Sequence, residues 1–198
     1  MPKIDQGDEG VEHRWVDVAG GLRVHVAEAG EGPPLLLLHG WPQHWWMWRE
    51  VIPALARSHR VICADLRGHG WTDAPRSGLV AKALERDLVP RVWSEEAARI
   101  YLDQFLEPAR ARAASQPYRS FLVEDTPSIL GGAYRGQRLR QPILVLHGAD
   151  DPVLPVKTVA DLPQHADDAR VEPVEGVAHF IVDEEPELVA ERAEAFFA

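Results

Sequence analysis

The order of apolar runs predicts an α/β fold on a mainly parallel sheet, with a helical segment inserted into it. Three observations carry this expectation. Short aliphatic runs at 35–38, 61–64 and 143–146, with a fourth strand-like run at 169–174, have the length of sheet strands, and the first reads as buried on both faces. Strands of this kind alternate with helical spacing, which is the pattern of a parallel sheet. Residues 79–140 interrupt the alternation, carrying helical patterns and no buried strand.

Residues 1–12 read as a frayed polar tail. Leu22, Val24 and Val26 alternate with Arg23 and His25, which predicts a half-buried strand. Gly30-Glu31-Gly32-Pro33-Pro34 is a turn, and the strand at 35–38 stops at His39-Gly40. Trp45, Trp48, Ile52 and Leu55 fall at helical spacing, and Pro53 must kink or split that helix. The strand at 61–64 ends in the glycine-rich loop Asp65-Leu66-Arg67-Gly68-His69-Gly70, and Pro75 and Gly78 then break the chain.

Ser94 is a candidate N-cap with Glu95 and Glu96 in the first turn. The apolar face that follows, Ala97, Tyr101, Phe105, Leu102 and Leu106, ends before Pro108. Gly131-Gly132 and Gly136 mark loops. Asp183-Glu184-Glu185-Pro186 opens the last helix, whose core face is Val189, Ala193, Phe196 and Phe197.

A chain of 198 residues suits one domain. At this size it buries roughly 70% of its unfolded surface, and a 45% hydrophobic content supplies the core. The net charge of 21 − 31 = −10 repels nucleic-acid phosphates and anionic membranes, so neither is an expected partner. Six arginines between 107 and 141 read as a solvated face. Cys63 is the sole cysteine and reads as a buried small hydrophobe, so no internal disulfide forms. The N-terminus lacks the apolar core of a signal peptide, and the run at 35–38 is too short to span a bilayer. A soluble, cytoplasmic protein is expected.

In a parallel sheet, ligands bind beyond the C-terminal ends of the strands. Asp151 and His179 lie in loops after two successive strands, 28 residues apart. A carboxylate that holds a histidine in one tautomer is the base half of a hydrolytic triad. As ordinary loop residues, the two would have no such role. His39-Gly40-Trp41-Pro42 follows a strand, where backbone N–H groups can hold a developing oxyanion. A plain strand-to-helix turn would look the same.

Taken in order, Leu35-Leu36-Leu37-Leu38-His39-Gly40-Trp41-Pro42, Asp65-Leu66-Arg67-Gly68-His69-Gly70-Trp71-Thr72-Asp73, Leu146-His147-Gly148-Ala149-Asp150-Asp151-Pro152 and Gly176-Val177-Ala178-His179-Phe180 resemble the motifs of the α/β-hydrolase superfamily. The His-Gly-Trp-Pro form resembles its epoxide hydrolase branch, with dehalogenases of the same fold as near relatives. The resemblance implies Asp151 as triad acid, His179 as triad base and the Trp41 N–H as an oxyanion-hole donor. It implies Tyr118 as a lid tyrosine that hydrogen-bonds the epoxide oxygen, with Tyr101 and Tyr134 as weaker candidates. Tyr118 as a packed lid residue is the open alternative. A small hydrophobic substrate is implied, and no cofactor or metal. The implied organisation is an N-terminal core part over 1–78, a partial helical lid over 79–140 and a C-terminal core part over 141–198.

One part of that pattern is missing. The superfamily carries its nucleophile on a sharp strand-to-helix turn, Gly-x-Ser-x-Gly or a form with Asp. None of the serines, at 58, 77, 94, 115, 120 and 128, sits between spaced glycines after a buried strand. Asp65 and Asp73 belong to the glycine-loop motif, and Cys63 lies inside a strand. An internal deletion near residues 78–79 is the simplest account. Its size would be about 60 residues for two strand-plus-helix units, with part of a lid besides. The strands at 35–38 and 143–146 must then pair directly or leave open edges, which invite self-association as a homo-oligomer. Two functional readings stay open: a hydrolase of impaired activity, and a non-catalytic binding or oligomerising protein.

Overall fold

A computed structural model describes residues 9–74 and 93–198. The expected break at Pro75–Gly78, the expected deletion point at 78–79 and most of the expected polar tail lie outside these residues. The chain divides into two compact units, Met1–Leu122 and Val123–Ala198. The expected lid is shared between them, with 93–122 in the first and 123–140 in the second.

The first unit holds a four-stranded sheet in the order β1-β2-β4-β3. Its strands are β1 (Glu12–Val18), β2 (Leu22–Ala29), β3 (Pro34–Leu38) and β4 (Arg60–Ala64). β1 was not legible as a strand, because only Trp15, Val16 and Val18 are apolar and all three are exposed. It pairs antiparallel with β2, and β2 pairs antiparallel with β4. β3 and β4 are parallel, in a register that sets Leu35 opposite Val61 and Leu37 opposite Cys63.

The tryptophan-rich segment packs on one face of this pair. Pro53 splits the expected helix into a 3-10 turn, Trp45–Trp48, and a short α1 (Ile52–Leu55) with the proline in its first turn. Trp45, Val51, Ile52 and Leu55 are buried with Leu35, Leu37, Val61 and Cys63. The expectation that β3 is buried on both faces does not hold. Leu36 is 57% and Leu38 52% exposed. β3 is an edge strand among the described residues, and nothing described covers its second face.

Ser94 caps α2 (Glu95–Leu102), its hydroxyl accepting the Ala97 N–H at 3.1 Å. The apolar face ends sooner than its spacing predicts. α2 gives way to a 3-10 turn, Asp103–Leu106, which rotates Leu106 into solvent at 79% exposure. α3 (Pro108–Ser120) follows and buries Ala111, Ala113 and Ala114.

The second unit contains α4 (Thr126–Leu130) and a two-stranded parallel sheet, β5 (Ile143–Gly148) with β6 (Ala169–Val174). The expected strands thus fall into two sheets among the described residues, one in each unit. α5 (Ile181–Glu184) and α6 (Pro186–Phe197) close the chain. Asp183 and Glu184 therefore end α5 and do not open the last helix. α6 buries Val189 and Ala190, whereas Phe197, its last residue, is exposed. No helix among the described residues is long and apolar enough to cross a membrane.

The first unit is organised around a buried carboxylate. Asp65 Oδ2 lies 2.7 Å from His25 Nδ1 and accepts the Trp71 N–H at 2.9 Å, and Oδ1 accepts the Trp45 N–H at 2.7 Å. Thr72 Oγ1 donates to the Asp65 carbonyl and accepts the His25 N–H. Gly70, at φ +51°, passes so close to this carboxylate that a Cβ would overlap it. Asp65→Ala would strand an imidazole and two amides in a buried site, and a loss of about 3–5 kcal/mol is expected. Asp73→Ala removes one exposed bond, to the Arg23 N–H at 3.0 Å, and should cost about 1 kcal/mol. Urea unfolding of the two variants measures the difference, and equal losses would contradict the role given to Asp65.

Candidate active site

In the second unit, the β5 strand delivers Asp151 three residues beyond its end, and the loop after β6 delivers His179. Gly148 makes their approach feasible, since a Cβ there would overlap the Ala178 and Val177 carbonyls. Asp150 N–H donates to the Val177 carbonyl at 3.0 Å and Ala149 N–H to that of Val174 at 2.9 Å, so the two loops are joined through backbone.

Asp151 Oδ2 lies 2.8 Å from His179 Nδ1. Its Oδ1 accepts the Val153 and Leu154 N–H groups at 2.7 and 3.0 Å. Burial pushes the Asp151 carboxyl up. The hydrogen bond from His179 and those from the two amides outweigh this and hold it below the usual carboxylate range. The Asp151 side chain is 6% exposed and that of His179 28%. No hydrogen bond among the described residues reaches His179 Nε2. An ionised Asp151 keeps the imidazole proton on Nδ1 and leaves Nε2 as a base at a partly open ring edge.

His147 stands behind this pair. Its Nδ1–H donates to the Gly148 carbonyl at 2.8 Å, and its buried Nε2 has no hydrogen-bond partner among the described residues. That atom is 4.0 Å from Asp151 Oδ2.

Trp41 and Tyr118 belong to the first unit. The Trp41 ring meets Tyr118 edge-on at 6.2 Å and lies 6.3 Å from Phe105. Tyr118 is 48% exposed, and its partial burial raises the phenol above its ordinary value. Tyr101 is fully buried against His44, Trp46 and Trp93, a core position, and Tyr134 is 58% exposed. His39 Nδ1–H donates to the Gly40 carbonyl at 2.8 Å and Nε2 accepts the Leu66 N–H at 2.9 Å, which ties the Trp41 loop to the glycine loop.

Sequence reasoning missed two residues that fasten helices to these loops. Gln104 Oε1 accepts the Gly70 N–H at 2.6 Å, and its Nε2 donates to the Pro42 carbonyl at 3.1 Å. Arg110 Nη1 donates to the carbonyls of Gly70 and Thr72 at 2.6 and 3.1 Å, so this arginine is a structural clamp and not part of a solvated face. Neither bond has a local signature, because its partner lies more than 30 residues away.

A family model described as the alpha/beta hydrolase fold matches residues 33–109. The soluble epoxide hydrolase of Corynebacterium sp. (strain C12) is 50% identical over 68 residues, 34% of this chain and 24% of that protein. The fluoroacetate dehalogenase of Burkholderia sp is 51% identical over 67 residues, 34% of this chain and 22% of that protein. These matches span less than a quarter of each curated relative's length. Among solved structures, the epoxide hydrolase CorEH superposes with a TM-score of 0.76 at 22% identity, over 94% of this chain and 98% of that one. The epoxide hydrolase VrEH1 from Vigna radiata does so with a TM-score of 0.76 at 21% identity, over 96% and 98%. The chain is thus a protein of the α/β-hydrolase fold. Over the matched third of its length, the sequence is similar to epoxide hydrolases and to a dehalogenase.

Burial lowers His39, His44 and His69, the last two to about 4 from 6.5. Each stays neutral in the folded state where the unfolded chain takes up a proton. Stability is therefore complete above about pH 6.5 and falls as the pH drops toward 4, by about 1.4 kcal/mol per pH unit for each fully titrating group. Urea midpoints at pH 7 and pH 5 measure this slope. His69→Gln should flatten it, and an unchanged slope would contradict the assignment.

Proposed function

We propose that this chain is a hydrolase of the epoxide hydrolase type that carries the base half of the machinery and lacks the nucleophile. The observation that supports it is the Asp151–His179 pair, a carboxylate that accepts two backbone amides on one oxygen and meets the imidazole on the other, and an imidazole with its second nitrogen free. In this reading His179 Nε2 removes a proton from water, the resulting hydroxide attacks an epoxide carbon as its ring C–O bond breaks, and the imidazolium, stabilised by Asp151, returns the proton to the alkoxide so formed. The reading assigns the Trp41 N–H and the Tyr118 hydroxyl as hydrogen-bond donors to the oxygen that gains charge. It assigns a small hydrophobic epoxide or a related ester or halide as substrate. The buried, unpaired Cys63 suits a cytoplasmic location.

Without a nucleophile there is no covalent ester to hydrolyse, so activity is impaired. The absent elbow would follow from a deletion near 78–79. Loss of a triad nucleophile costs on the order of 10⁶ in rate.

The exposed Leu36 and Leu38 on an edge strand favour a second reading, a non-catalytic protein that binds or self-associates through its open sheet edges. Turnover of a styrene-oxide-type epoxide and of a p-nitrophenyl ester by the purified chain separates the two. A slow rate, abolished in His179→Ala, is expected. A rate comparable with that of a complete epoxide hydrolase would refute the impairment. No rate above background, together with a dimer in sedimentation velocity, would favour the second reading.

A further inference from the structure

The loop that carries His179 is gripped by a side chain outside the dyad. Glu184, the last residue of α5, folds its carboxylate back over the loop. Its Oε2 accepts the Ala178 N–H at 2.7 Å and its Oε1 accepts the Phe180 N–H at 2.9 Å. These are the amides of the residues on either side of His179. The backbone of Glu184 is itself fixed, because its N–H and that of Asp183 both donate to the Phe180 carbonyl, at 3.0 and 2.9 Å.

We propose that Glu184 is a positioning residue for His179: its carboxylate pins the peptide groups flanking that residue and so sets where the imidazole stands. This rests on the reading of Asp151 and His179 as the base half of a hydrolytic site. Asp151 restrains the far end of the side chain through Nδ1, and Glu184 restrains the backbone from which the side chain departs. The chemistry of the grip selects a carboxylate. Two divergent N–H groups need two acceptor oxygens, and hydrogen bonds to an ionised acceptor are roughly twice as strong as neutral ones. A glutamine offers one acceptor oxygen and turns an NH₂ toward the second amide. An aspartate is one methylene short of the same reach. Glu184 does not touch the reacting atoms in this account. It acts only through His179.

The test uses the full chain and compares wild type with Glu184→Gln, Glu184→Ala and the surface control Glu187→Gln. Two quantities are read by NMR: hydrogen exchange at the Ala178 and Phe180 amides, and the downfield resonance of the His179 Nδ1 proton shared with Asp151. In Glu184→Gln one of the two amides should exchange on the order of 10-fold faster. In Glu184→Ala both should do so, and the Nδ1 resonance should broaden or vanish while the β5 amides keep their protection. Glu187→Gln should match wild type. Wild-type protection at both amides in Glu184→Gln, or an unchanged Nδ1 resonance in a folded Glu184→Ala, would overturn the proposal. If Glu184→Ala does not fold, the Glu184→Gln amide pattern decides alone. Absence of the Nδ1 resonance in wild type would refute the dyad itself, an outcome distinct from failure of the Glu184 grip.

Discussion

A carboxylate removed from water must be met by donors on nearly every side, and Asp65 shows how much structure that requirement fixes. Burial alone would push its carboxyl up, yet the hydrogen bonds from His25 and the Trp45 amide hold it below its ordinary range. Meeting the demand draws together the middle of β2, the entry to the tryptophan-rich turn and the glycine-rich loop. Once these are joined, Gly70 has no room for a side chain, and Gln104 and Arg110 find carbonyls and an amide presented to them. Loop positions that look like surface choices are consequences of one charge.

The second unit repeats the arrangement with one change. Asp151, like Asp65, accepts two backbone amides and pairs with one imidazole nitrogen at under 3 Å. The difference lies in the histidine. His25 has no exposed surface and its Nε2 is taken up by His13 Nδ1 at 2.9 Å. The side chain of His179 is 28% exposed and its Nε2 is left open. The same local chemistry therefore makes a structural joint in one place and a candidate base in the other, and exposure of the second ring nitrogen distinguishes them.

Much of this was legible in the residues. Strands β2 to β6, the Ser94 cap and the split at Pro53 followed from periodicity and local sterics, which act within a few residues. The likeness to α/β hydrolases followed from four ordered motifs. What escaped depended on contacts distant in sequence. β1 is a strand because β2 offers it a pairing edge, not because its own apolar pattern is strong. Leu36 and Leu38 read as buried because four consecutive leucines cannot reveal whether a sheet covers their second face. The His25–Asp65 pair spans 40 residues, and Glu184 looked like one more acid at a helix start.

The proposed function gives the chain a base without a nucleophile. Such a protein can deliver water but cannot form an ester between itself and its substrate. Intact-mass spectrometry after incubation with excess epoxide and a rapid acid quench tests this most directly. The account predicts a single species at the mass of the unmodified chain. A stoichiometric species heavier by the mass of the epoxide, mapped by peptide analysis to an aspartate or glutamate, would contradict it.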